Sequence, residues 1–342
     1  MSDVALSVLD LAPVVDGSTP HDALASSVDL ARHVEALGYN RVWFAEHHNM
    51  PGIASSAPPV LIAHIAAATE RIRVGSGGVM LPNHAPLVVA EQFGMLQALH
   101  PGRIDLGLGR APGTDGQTAA ALRRNADPYG AESDFPEQLA ELRGFLSGAL
   151  PAGHPHRAIK AVPNVGEEPP IWLLGSSGYS AQLAGELGLR FSFAHHFSAE
   201  NTEPAVRMYR ASFRPSEALQ QPYVMLGTAI VAAEDDERAE FLAGSSNLQF
   251  LRLRQGRPGL LPTPDEAAAQ RYSPAEQAFL ESRRTSQIVG GPDTVRQGIE
   301  ALLARTDADE LMITTAVHDH AARRRSYEII AEVMDLRPRE AR

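Results

Sequence analysis

Short apolar runs alternate with amphipathic segments from the start of the chain. Residues 4–9 form an apolar run that predicts a strand. Thr19 then offers an N-cap, Pro20 fits the first helical position and Asp22 places an acid in the first turn. Leu24, Val28, Ala31 and Val34 follow at helical spacing, and Gly38 supplies the stop. The same rhythm predicts strands at 41–45, 72–78 and 103–109, with helices at 57–70 and 86–99 between them. Further on, strands are predicted at 171–174, 190–194, 223–231 and 310–314. Helices are predicted up to Leu187, near 204–213, from the acids Glu234, Asp235 and Asp236, at 292–304 and at 321–334. A Pro- and Arg-rich stretch at about 255–284 breaks the rhythm and reads as an insertion.

Eight strands separated by helices predict an α/β fold with a parallel sheet. A closed (β/α)8 TIM barrel accounts for the pattern better than a doubly wound sheet. No interior break divides the chain, and no GxGxxG follows the first strand. The expectation is one barrel domain over residues 1–342, interrupted late by the insertion.

Composition narrows the function. Of 342 residues, 44% are hydrophobic and 21% charged, which is ordinary for a globular protein. The net charge of −11 and the lack of a basic stripe argue against a nucleic-acid partner. The run Arg323-Arg324-Arg325 reads as a solvated helix face. No apolar run is long enough to span a bilayer, and the N-terminal residues are acidic where a signal peptide is basic, so a cytoplasmic location is expected. The absence of cysteine excludes disulfides, thiol catalysis and Cys-based zinc sites.

In a barrel the active residues collect where the strands end. Those positions hold Glu46-His47-His48, then Gly77-Gly78 running on to Asn83-His84, then Gly109-Arg110. Gly175-Ser176-Ser177-Gly178-Tyr179, His195-His196 and His318-Asp319-His320 follow. Ser176 to Tyr179, just before a helix, suit either an anion site or a plain N-cap. Arg110 could complete a phosphate clamp or form a surface ion pair. Gly77-Gly78 admits a flat ligand or a tight turn. His47 suits acid–base work, though a hydrogen-bonded structural histidine is the commoner case. The rim histidines also raise a metal site, but the first strand carries no HxH pair and no metal is assigned.

The runs RVWFAEHHNMPG, RIRVGSGGVMLPNHAPLVVAEQ and HPGRIDLGLGRAPGTD resemble the luciferase-like flavin monooxygenases, in the branch of single-chain enzymes. PIWLLGSSGYSAQLAGELGLRFSFAHHF and IVGGPDTVRQGIEALLARTDADELMI extend the resemblance over most of the chain. It implies a barrel of the bacterial-luciferase type with a late insertion. It also implies reduced FMN supplied by a separate reductase, use of O2 on a small apolar substrate, and a homodimer. By motif position, His47 is the catalytic histidine and Gly77-Gly78 carry a cis peptide beneath the isoalloxazine ring. Arg110, Ser176, Ser177, Gly178 and Tyr179 hold the FMN phosphate. Asn83 and His84 are placed at the pocket lip, and His195 and His196 beside the substrate. Gly109 departs from bioluminescent luciferase, whose α chain has a reactive cysteine there, which argues against light emission. A deazaflavin-dependent oxidoreductase of the same superfamily and a metal-dependent barrel hydrolase are the alternative readings. The first is disfavoured by EHH in place of an Asp-His pair.

Overall fold

The computed structural model describes residues 4–123, 134–164 and 166–338. The chain begins with β1 (Ala5–Asp10), α1 (Pro20–Leu37), β2 (Arg41–Phe44), α2 (Pro58–Ala68) and β3 (Arg73–Ser76). It continues through β4 (Val79–Met80), α3 (Pro86–Leu99), β5 (Ile104–Gly109), α4 (Gly116–Leu122) and α5 (Phe135–Ser147). Next come β6 (Ile171–Gly175), α6 (Gly178–Glu186), β7 (Arg190–Ala194), α7 (Thr202–Ser212), β8 (Val224–Ala232) and α8 (Asp236–Arg254). The last part holds α9 (Pro264–Ala269), α10 (Pro274–Arg283), β9 (Gln287–Gly290), α11 (Pro292–Thr306), β10 (Glu310–Thr314) and α12 (His320–Val333).

Strands β1, β2, β3, β5, β6, β7, β8 and β10 are neighbours in that order, and β10 pairs with both β8 and β1. The result is a closed, parallel eight-stranded barrel with helices between its strands. Two short strands extend its rim: β4 pairs with the end of β5, and β9 with the end of β8.

The local signals act as the chain chemistry dictates. Thr19 and Asp22 form a capping box at the start of α1, and Gly38 ends it at φ 95°, a left-handed conformation that suits glycine. All eight expected barrel strands are present within a few residues of their expected bounds. Three differences stand out. The strand expected at 72–78 stops at Ser76, because Gly77 and Gly78 interrupt it before β4. Strand β9, four residues long, carries too little pattern to be read. The sequence reading also passes over α4 and α5, although α5 buries Leu139, Leu142, Phe145 and Leu146 at helical spacing. Within 255–284, α9 and α10 lie between α8 and β9.

Alternation along each strand sorts the core into a shell and an interior. Val8, Val42, Phe44, Ile104, Leu106, Leu311 and Ile313 join the large cluster under the helices. The alternate positions Leu9, Trp43, Trp172, Met225 and Met312 form a second cluster inside the barrel, where Trp43 and Trp172 meet edge to face at 5.2 Å. Small residues make room for these rings, since a Cβ on Gly75 would lie 2.7 Å from Trp43 Nε1.

Below the tryptophans, at the strand N-termini, the interior positions are charged and buried. Arg41 donates to Glu310 Oε1 at 2.8 Å and Oε2 at 3.1 Å, and to Asp105 Oδ2 at 2.7 Å. Arg73 donates to Asp105 Oδ1 at 2.6 Å, and Tyr223 Oη to Glu310 Oε2 at 3.0 Å. Burial alone would push the Asp105 carboxyl up, but Arg41 and Arg73 hold it below its usual range. Replacing Arg41 by Met leaves two buried carboxylates short of a partner. Arg41→Met should therefore lower the unfolding free energy by about 3–5 kcal/mol, read as a lower urea midpoint. An unchanged midpoint would mean that the network carries little stability.

Candidate active site

A mostly apolar cavity of about 420 Å³ lies at the C-terminal ends of the strands. That volume falls within the usual range for small-molecule sites. Ala45, Gly77-Gly78, Gly109, Leu174, Ala194 and Thr314, all at or just past strand ends, line it. Trp43 and Met312 line it as well.

The loop after β2 is built on Glu46. Its carboxylate is fully buried and accepts from the Met80 backbone N–H at 2.9 Å and Asn83 Nδ2 at 3.2 Å. His48 and His84 each place Nε2 at 2.9 Å from Glu46 Oε1. Burial pushes this carboxyl up, but the contacts to His84, His48 and Met80 outweigh it and hold it below its ordinary value. Glu46 thus ties the end of β2 to the segment after β3, and fixes the backbone on which His47 sits.

His47 itself turns into the cavity. Its backbone N–H donates to the Ser55 carbonyl at 3.1 Å, while its Nδ1 is buried with no protein partner. Burial pushes the imidazole down to about 4, opposed by Glu46 and reinforced by His48, so the ring is neutral at neutral pH. A neutral ring lining an apolar cavity can exchange a proton with a ligand, while its Nδ1 is sealed from that space.

The Gly77–Gly78 peptide is cis. A side chain is barred at Gly78, where a Cβ would lie 2.7 Å from the Gly107 carbonyl oxygen, and crowded at Gly77, where Leu9 Cδ1 at 2.8 Å would have to give way. Together they leave bare backbone facing the cavity. At Gly109, also in the lining, the Met80 sulfur would lie 2.6 Å from an added Cβ, so the methionine fills the space a larger residue would need.

Across the mouth, Arg110 stands with its guanidinium carbon 4.4 Å from the centre of the Tyr179 ring. Arg110, Ser176 and Ser177 line the cavity; Gly178 and Tyr179 follow as the first residues of α6. Ser177 is the N-cap of α6 but its side chain makes no capping bond. The helix start and the arginine therefore face one space, the arrangement expected of an anion seat.

The remaining candidates separate. His196 lines the cavity and holds its Nδ1 2.7 Å from the Gly227 carbonyl; burial pushes it down to about 4. His195 lies outside the lining, with Nδ1 2.8 Å from the Thr202 hydroxyl. His84 and Asn83 also lie outside it and serve Glu46. His318 reaches the Asp16 carbonyl, and His320 pairs with Asp29. Among the described residues, the group of three with metal-ligand spacing is Glu141, His154 and His156, none of which lines the cavity.

Sequence reasoning missed the roof of the cavity. Ser246, Gln249, Phe250 and Leu253 line it from α8, with Pro258, Gly259 and Arg283 from the insertion. Their spacing of i, i+3, i+4 and i+7 on α8 was a legible signal, masked by the polar residues that surround it.

The luciferase-like monooxygenase family pattern matches residues 5–310. The chain belongs to this family. A luciferase-like monooxygenase of Escherichia coli (strain K12) is 48% identical, over 97% of each chain. The solved structure of apo-MsnO8 is 40% identical with a TM-score of 0.91, covering 98% of this chain and all of the other. The oxygenating constituent of 3,6-diketocamphane monooxygenase from Pseudomonas putida, solved in complex with FMN, has a TM-score of 0.71. It covers 96% of this chain and 98% of its own, and at 19% identity it shows the fold alone.

In this family member, His47 and His196 should titrate near pH 4, which histidine chemical shifts followed against pH will read. Their folded values lie below the unfolded value of roughly 6.5. Between those values the unfolded chain binds more protons than the folded one, so stability should fall as pH drops from roughly 6.5 toward 4. Two ordinary histidine titrations in their place would contradict the burial argument.

Proposed function

We propose that the chain is a flavin-dependent monooxygenase that uses reduced FMN, delivered by a separate reductase, and O2 to oxidise a small, largely apolar organic molecule. The observation that carries this reading is the convergence on one apolar cavity of three features. They are the uncapped start of α6 beside Arg110, the bare Gly77-Gly78 backbone and the neutral ring of His47. A phosphorylated, flat cofactor fits the first two, and the third supplies a proton-transfer group beside its reacting centre. When bound, reduced FMN supplies the electrons that activate oxygen.

The residues have separable tasks. Arg110, with Ser176, Ser177 and the first backbone N–H groups at Gly178 and Tyr179, would hold the phosphate through charge-assisted hydrogen bonds. Gly77 and Gly78 give a ring system access to the backbone, because neither carries a side chain to stand in its way. Trp43, Leu174 and Met312 keep the floor dry, which protects reactive species from water. The His47 ring, neutral at working pH, accepts or returns a proton at the reacting centre. The cytoplasmic location and the homodimer belong to this proposal and rest on the family resemblance and the cysteine-free composition.

Anaerobic titration with reduced FMN tests the reading. The protein should bind it in a saturable way. Arg110→Ala should weaken binding roughly 10- to 100-fold, the equivalent of one charge-assisted contact. His47→Ala should leave binding nearly unchanged while substrate oxidation collapses. Failure to bind reduced FMN would remove the proposal, and binding of a deazaflavin instead would favour hydride transfer without oxygen.

A further inference from the structure

Three arginines line the cavity, and they differ in how they are held. They are Arg110, Arg283 and Arg323, and among the described residues no aspartate or glutamate lines it, in a chain whose net charge is −11. Arg323 is neutralised within the protein by Asp10 at 2.6 Å. Arg110 stands at the end of β5 beside the start of α6. Arg283 stands on another side of the mouth, at the end of α10 and just before β9, which pairs with β8.

Arg283 is held in position without being neutralised. Its guanidinium carbon stacks 3.7 Å from the centre of the Phe250 ring, and Phe197 and Phe279 neighbour that ring with centroids at 6.4 Å and 6.1 Å. Its Nε–H reaches Asn247 Oδ1 at 3.4 Å, the outer limit of a hydrogen bond. Among the described residues, no carboxylate pairs with it. The next residue, Arg284, is by contrast paired to Glu240 at 3.1 Å and Glu281 at 3.2 Å. Burial pushes the Arg283 guanidinium down to about 10 with no acid to oppose it, so it stays charged at neutral pH. The neighbouring His196 is neutral and supplies no counter-charge. A stacked guanidinium keeps its planar fork of donors edge-on for a ligand, and that fork matches the two oxygens of a carboxylate. One such fork suits a monoanion; a phosphate dianion calls for further cations.

We propose that Arg283 is a specificity-determining residue that anchors the carboxylate of an organic-acid substrate, whose apolar body lies along Phe250, Leu253 and the cavity wall. This rests on the reading of the cavity as a flavin monooxygenase site, and it adds the substrate class. The acid group sits at the roof formed by α8 and α10, across from the phosphate seat, so that the apolar chain extends inward toward His47. Gln249, Gln287 and Ser246 also line the cavity and give the head group polar neighbours.

Calorimetric titration of the full-length protein, with no turnover, tests the proposal. The probes are octanoate, its neutral isostere octanamide, and octanesulfonate, each added with and without saturating oxidised FMN. Octanoate should bind roughly 10- to 100-fold more tightly than octanamide. Arg283→Gln should abolish most of that preference, and Arg283→Lys should keep part of it because the charge remains without the fork. FMN affinity, followed by flavin fluorescence, should be the same in both variants as in the parent protein. Equal binding of octanoate and octanamide by the parent protein would overturn the proposal without needing any variant. So would a preference that survives Arg283→Gln, or tighter binding of octanesulfonate than of octanoate. If the parent protein fails to bind FMN at all, the flavin reading fails instead, and the flavin-free titrations still decide whether Arg283 selects a carboxylate.

Discussion

The charged layer at the strand N-termini is the constraint on which the rest of this barrel is stacked. Arg41 on β2 reaches Asp105 on β5 and Glu310 on β10, and so ties three strands of the ring across its interior. Such a cluster is costly to bury and tolerable only when fully paired. Arg73, Tyr223 and Asn40 complete the pairing. With this end plugged by charge, the Trp43–Trp172 pair lies directly above, and the Arg41 guanidinium carbon sits 4.9 Å from the centre of the Trp172 ring. Two indoles in the middle of the barrel leave little room, which explains the glycine at 75; at Gly107 it is the Ser76 carbonyl that leaves no space for a side chain. What remains empty is the upper end, and there the cavity opens.

Chemistry at that end depends on residues relieved of structural work by their neighbours. Glu46 is saturated by Met80, Asn83, His48 and His84, and this saturation frees its neighbour His47 from any structural duty. The same separation recurs among the arginines. Arg323 serves Asp10, whereas Arg283 stacks on Phe250 and has no carboxylate partner among the described residues. Aromatic faces fix the orientation of a guanidinium while leaving its N–H edge for a ligand. A site assembled this way gives up stability for binding capacity, as functional sites commonly do.

Much of the barrel was legible because each strand is short, apolar and bounded by Gly, Pro or a capping residue. Thr19, Asp22 and Gly38 set the limits of α1 directly. The rim residues were legible too, since a strand end in a barrel points at the site, and the geometry brings His47, Gly77, Gly78, Arg110, Ser176, Ser177 and His196 into one lining. His84 and His195 show the limit of that logic. Adjacency to the rim does not say which way a ring turns, and both turn to protein partners, Glu46 and Thr202. The roof was illegible for another reason. Arg283 and Phe250 meet only through the packing of α10 on α8, more than thirty positions apart in sequence, and no local pattern announces a contact of that kind.

The central claim is that one cavity at the strand C-termini seats FMN with its phosphate between Arg110 and α6. A crystal structure of the protein grown with FMN tests it most directly. The account predicts phosphate density against Arg110 and the Ser176–Tyr179 backbone, with the ring system over Gly77-Gly78 and within reach of His47. Flavin bound elsewhere, or a cavity that stays unoccupied at saturating FMN, would contradict it.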